Sequence, residues 1–254
     1  MSDFYIGWSG SSDTSRKSSS KFYYSFLGLM FLLVVLFTWL ERPFSDSMFA
    51  YGEQIELEGY LIENPVIALR IEKGDQFEIL PLVGYGKMGP HAALENLLGG
   101  NHHIKVRGTL ISHKGKRFLE LTDGKSSVLS SRNSGEMDHA PTLIGSMKIT
   151  GEIMDPKCFF GVMKPGYGKV HRSCAIRCIS GRIPPVLAIR KGEDFEEFYF
   201  LTDMEGKMLK EDLLSYVGKS ITISGNAFEI DSWKSISLES LEVGAVIPEV
   251  TNCG

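Results

Sequence analysis

The apolar positions of this chain fall into one long unbroken run and then many short ones. Residues 22–40 read F-Y-Y-S-F-L-G-L-M-F-L-L-V-V-L-F-T-W-L, nineteen positions without a charge. A helix of that length spans roughly 28 Å at about 1.5 Å per residue, close to one bilayer hydrocarbon core. Tyr23, Tyr24 and Trp39 stand at its ends, where interfacial aromatics belong. The run is too long for a signal-peptide core, and Glu41-Arg42-Pro43 follows instead of a small-x-small cleavage site. An uncleaved anchor is predicted. Arg16, Lys17 and Lys21 precede it, whereas Arg42 on the other flank is offset by Glu41. The positive-inside rule then makes residues 1–21 a cytoplasmic tail and sends everything after the anchor to the other side. The tail is polar and Ser-rich apart from Phe4-Tyr5-Ile6-Gly7-Trp8, and is expected to be disordered.

After a linker at 41–52, short apolar and alternating stretches separated by turn residues predict β-strands, and their order occurs twice. Pro65-Val66-Ile67-Ala68-Leu69-Arg70 matches Pro185-Val186-Leu187-Ala188-Ile189-Arg190, with Gly59 and Gly151 upstream of them. Residues 76–80 answer 197–201, and 104–108 answer 221–225; each half closes on an alternating strand, at 117–122 and 235–243. Short amphipathic helices are predicted at 92–98 and 209–217, each stopped by a glycine, Gly99 or Gly218. Five strands with one helix between the third and fourth is the order of an OB-fold. The expected fold is therefore mostly β: one transmembrane helix, then two tandem OB-like five-stranded barrels, each with one short helix. Their predicted bounds are 53–125 and 147–245, with a polar linker at 126–146 and a tail at 246–254.

The duplication isolates what is special. Gly59 to Pro65 is 6 positions but Gly151 to Pro185 is 34, so the second half carries about 28 extra residues between its first two strands. Three of the four cysteines, Cys158, Cys174 and Cys178, lie in this insertion (157–184) with His171. So do Lys157, Lys164, Lys169, Arg172, Arg177 and Arg182, with no Asp or Glu. On a helix His171, Cys174 and Cys178 share a face, and Cys158 would approach from the other side of the loop. Three thiolates and an imidazole suit a metal ion (Zn or Cu) or an iron–sulfur cluster; a haem is also compatible with the basic surroundings. Lys164, Lys169, Arg172 and Arg177 would stabilise thiolates or bind an anion. Structural disulfides, with Cys253 taking the odd thiol, are the competing use of these cysteines outside the cytoplasm. The insertion is expected to be an appendage grafted on the sheet.

Composition narrows the function class. A net charge of -4 argues against a general nucleic-acid binder. No nucleophile-elbow, Walker, zincin or dinucleotide motif is present, His102-His103 reads as part of a strand and Glu196-Glu197 as a solvated turn. No catalytic residues are assigned.

The run D-P-K-C-F-F-G-V-M-K-P-G-Y-G-K-V-H-R-S-C-A-I-R-C-I-S-G-R-I-P-P resembles a loosely defined group of exported bacterial proteins with a Cys, a Gly/Lys-rich turn and His-x-x-Cys-Ala-x-x-x-Cys. That resemblance implies a shared site at Cys158, His171, Cys174 and Cys178. The topology is similar to the membrane-anchored haem chaperone of cytochrome c maturation, from which the chain departs in having two barrels and no C-terminal haem-attachment histidine motif. The expected function is a bacterial inner-membrane, single-pass subunit with periplasmic barrels, carrying a metal or redox site beside an integral-membrane partner of an electron-transfer complex. The alternative is a non-catalytic assembly or carrier protein whose disulfide-pinned basic loop binds a partner or an anionic ligand.

Overall fold

A computed structural model describes residues 13–40, 47–135, 140–192, 194–209 and 213–243, excepting the side chain of Val162. The aromatic patch at 4–8, Cys253 and the tail from 246 lie outside the described residues. Helix α1 (Asp13–Leu40) contains the predicted anchor and begins earlier, so residues 13–21 of the expected tail are helical. With a mean hydropathy of 2.0 over its most apolar window, α1 is long and apolar enough to cross a membrane. The hydroxyl of Thr38 donates to the Val34 carbonyl at 2.8 Å, which satisfies a polar group inside the apolar run.

Residues 47–243 hold two closed barrels. The first consists of β2 (Ile55–Ile62), β3 (Ala68–Lys73), β4 (Gln76–Gly84), β5 (His102–His113) and β6 (Lys116–Leu121). Strand β2 pairs antiparallel with β3 and β5, β3 with β4, β5 with β6, and β4 runs parallel to β6. The second barrel repeats this order with β8 (Thr142–Met154), β9 (Val186–Lys191), β10 (Asp194–Thr202), β11 (Ser220–Ile230) and β12 (Trp233–Val243), and β10 is parallel to β12. The predicted duplicated, mostly β fold is what forms. Two-residue turns keep the strands in register; between β5 and β6, Lys114 and Gly115 both take positive φ, as the right-handed twist of a hairpin requires.

Four local expectations change. The stretch 41–52 contributes β1 (Ser47–Phe49), and the stretch 126–146 contributes β7 (Val128–Asn133) and the start of β8. Both extra strands bind β5, whose twelve residues outrun β2 and β6 and leave backbone donors and acceptors to be paired. Ser130, Ser131 and Arg132 are exposed, so their polarity hides a strand held by backbone alone. The helix predicted at 92–98 is a single turn, α2 (His91–Leu94), continued by turns to Gly99, whose positive φ ends it. At 209–217 the described residues form turns, with Tyr216 N–H donating to the Leu213 carbonyl; residues 210–212 lie outside the description. Leu213 and Val217 are buried all the same, so their apolar spacing reflected burial rather than a helix.

The strands bury both faces, and this explains the repeated P-V-x-A-x-R. Leu61, Leu69, Leu80, Leu82 and Leu119 fill the first barrel; Ile153, Leu187, Tyr199, Leu201, Ile223 and Ile236 fill the second. Their neighbours Ile62, Ala68, Ile79, Val83, Phe118, Met154, Val186, Ala188, Phe198 and Phe200 form a third cluster shared by the two barrels. With a strand period of two, one set faces inward and the next residue faces the other barrel. Trp233 lies in this shared core and donates its indole N–H to the Ile79 carbonyl at 3.0 Å. Arg70 binds Asp231 with Nε at 2.7 Å and Nη2 at 3.1 Å.

The insertion is not an appendage. Cys158, Phe159, Phe160, Cys178 and Ile183 belong to the shared cluster, so the segment between β8 and β9 is a wedge in the contact between barrels. Apolar surface on both barrels needs covering, and the two phenylalanines supply it: Phe160 packs against Phe118 of the first barrel and Phe198 of the second at 5.4 and 4.9 Å between ring centres.

Candidate metal centre

Asp155-Pro156-Lys157 follow strand β8 and lead into a π-turn, Cys158–Val162, in which Met163 N–H donates to the Cys158 carbonyl at 2.9 Å. Gly166 brings the chain back over this turn; a Cβ there would sit 2.5 Å from the Cα of Phe159, so the return needs glycine. Helix α3 (Gly168–Ser180) then runs back toward the sheet. Its first amide, Gly168 N–H, donates to Glu152 Oε1 at 2.5 Å, placing an acid at the positive end of the helix. Burial pushes the Glu152 carboxyl above its usual range, with the Gly168 hydrogen bond opposing it. His171, Ala175, Cys178 and Ile179 form the buried stripe of α3, at the three- and four-residue spacing of one helix face.

The first barrel holds the other end of α3. Gly89 N–H donates to the Gly181 carbonyl at 2.7 Å, and a Cβ on Gly181 would collide with the Lys87 carbonyl oxygen. The loop after β4 is thus pressed on the end of the cysteine helix. Lys157 reaches the opposite way: its buried ammonium donates to the carbonyls of Gly84 and Gly86 at 2.7 and 2.6 Å and to Glu120 Oε1 at 2.6 Å.

All four predicted ligands converge here, but as two groups rather than one. Cys158, His171 and Cys174 offer ligand atoms within 4.8 Å of one another, and so do Asp155, Cys158 and Cys178. Cys158 is common to both. All but Cys174 are buried, and the three thiols are free, so the disulfide-pinned loop of the alternative reading is not what the structure contains. The loop is held by Lys157, Glu152 and the packed phenylalanines instead.

His171 Nε2 has no hydrogen-bond partner among the described residues, and Asp155 Oδ2 has none beyond the neighbouring Cys158 thiol. Asp155 Oδ1 accepts from Lys157 N–H at 2.9 Å, and the Asp155 carboxylate also acts on the neighbouring Cys158 thiol through its charge and a hydrogen bond. Burial lowers the pKa of His171, opposed by Asp155 and assisted by Lys87, which favours the neutral, ligating imidazole. A hydrogen bond with Cys178, then burial, then the charge and hydrogen bond of Asp155 push the Cys158 thiol far up. With like-charged neighbours and little water, three thiolates at this spot require a cation.

Sequence reasoning missed two residues. Asp155 lay just outside the acid-free window that drew attention to the insertion, three positions before Cys158. Lys87 comes from the first barrel, and its ammonium donates to Cys174 Sγ at 2.9 Å, a contact that raises the lysine's pKa. Nothing near the cysteines in sequence announces it. Of the cations expected around the site, Lys164, Lys169 and Arg177 are exposed. Arg172 donates through Nη2 to the Ser215 carbonyl at 3.1 Å. Protein-family models give no match to this chain, and neither do curated proteins.

Proposed function

We propose that this protein is a membrane-anchored subunit that carries a metal or redox centre outside the cytoplasm of a bacterium. Helix α1 lies in the inner membrane with its basic N-terminal flank inside, and both barrels lie in the periplasm. One observation carries the reading: an unpartnered imidazole nitrogen and a carboxylate are buried beside three free thiols, with their ligand atoms within 4.8 Å of one another in two overlapping groups. Unpaired buried polar atoms are costly, and metal coordination uses them all at once. Free thiols in an oxidising compartment persist when a metal occupies them. The number and softness of the donors, three thiols with an imidazole and a carboxylate, favour Zn, Cu or a small iron–sulfur cluster over haem, which takes two axial ligands. Burial of the ligands supports a structural or electron-carrying role over substrate turnover, which needs an open coordination position. The anchor would seat the subunit on an integral-membrane partner of an electron-transfer assembly.

The test is metal analysis of the full chain, purified anaerobically in mild detergent under reducing conditions. Stoichiometric Zn, Cu or Fe is expected in the wild type and is lost in Cys158→Ser. No stoichiometric metal, together with thiols that become reactive only after reduction, overturns the proposal.

A further inference from the structure

From the split of the ligands into two groups, we infer that the centre is dinuclear, with the Cys158 thiolate bridging two metal positions. The inference rests on the metal-centre reading above and goes beyond it in nuclearity and in recruiting Asp155.

Helix α3 spaces its donors along its axis. His171 and Cys174 stand a turn apart, and Cys178 stands one turn further on. Among the described residues, no group within 4.8 Å contains both Cys174 and Cys178, although each groups with Cys158. A single tetrahedral ion would need all four predicted ligands around one point. Instead a terminal pair lies on each side of the shared thiol: His171 with Cys174, and Asp155 with Cys178.

Each side also has its own buried ligand atom to offer, His171 Nε2 on one and Asp155 Oδ2 on the other. A mononuclear centre on the three cysteines and His171 would deprotonate Cys158, remove the hydrogen bond its thiol makes with Asp155, and leave that buried carboxylate facing thiolates without a cation of its own. Two ions use both atoms. Three thiolates and one carboxylate carry four negative charges, which call for more than one divalent cation even with the Lys87 ammonium 2.9 Å from Cys174 Sγ. Loading two such ions releases the three thiol protons to solvent.

One position is a nitrogen–sulfur site for a borderline or soft ion. The other, with an oxygen ligand, takes a harder first-row ion as well.

The experiment titrates the reduced, metal-free full chain in detergent with Co(II), and separately with Zn(II), reading ions bound per chain by native mass spectrometry. Two ions per chain are expected. The electron paramagnetic resonance signal of Co(II) should grow during the first equivalent. It should then fall as the second enters, because a thiolate bridge couples the two spins. Asp155→Asn should stop at one ion and keep its signal. Saturation at one ion in the wild type, or two ions whose signals simply add, overturns the bridged centre while leaving the proposed function standing. Binding of no ion overturns both. The wild-type titration decides the matter even if Asp155→Asn does not fold.

Discussion

Replacing Lys157 with methionine tests whether the insertion is a wedge. The Lys157 ammonium has three donors and three acceptors, the carbonyls of Gly84 and Gly86 and the Glu120 carboxylate, and the two side chains of the ion pair are 3% and 5% exposed. Methionine preserves the stem but strands the Glu120 charge in the core. Breaking one side of a buried pair costs about 3–5 kcal/mol, a large part of the ~5–15 kcal/mol that holds a domain folded. Glu120→Gln keeps an acceptor for the ammonium and should cost less, about 1–3 kcal/mol. Combining Lys157→Met with Glu120→Leu removes both charges and should recover most of the loss, since an apolar pair of similar volume is often neutral to stability. Urea unfolding of the chain in mild detergent, with metal content read alongside, supplies the double-mutant cycle. Both barrels should lose stability together, because Lys157 in the second is tied to three groups in the first. A cost below ~1 kcal/mol, as for an exposed pair, would refute this reasoning. So would a double variant weaker than Lys157→Met.

Gly181→Ala should cost about 1–3 kcal/mol by overpacking, because its Cβ meets the Lys87 carbonyl, and thermal unfolding like that of the wild type would count against the docking of that loop. Lys87→Met removes the cation beside Cys174 and should slow alkylation of that half-buried thiol several-fold in metal-free protein; an unchanged rate contradicts the contact. Burial pushes the Glu78 carboxyl up, but hydrogen bonds from Arg117 and Lys73 outweigh it and hold the group below its ordinary value. The unfolded chain then binds the proton more readily, so this stabilisation is present above the ordinary carboxyl value of about 4.3 and lost as pH falls through the folded one. Glu78→Gln should flatten the acid limb of the stability–pH curve, and an unaltered limb would exclude this contribution.

The sequence by itself determined the elements whose signal is local or repeated. A charge-free run long enough for a bilayer became α1, and the repeated P-V-x-A-x-R became β3 and β9 in two barrels of one topology. Cys158, His171, Cys174 and Cys178 were legible as a set because helical spacing puts three of them on one face of α3. Strands β1 and β7 were hidden, since backbone pairing with β5 leaves no mark on side-chain type. The 209–217 stretch misled because burial from one side produces helix-like spacing in a turn as well. Only the tertiary structure decided that Ala68 and Ala188 meet in one core between the barrels and that Lys87 reaches Cys174 from the other half. It alone brought Asp155 to the thiols and divided the ligands about Cys158. Periodicity along a chain records which side of an element is covered, but not what covers it; that depends on contacts between residues far apart in sequence, which form only when both barrels close on the wedge.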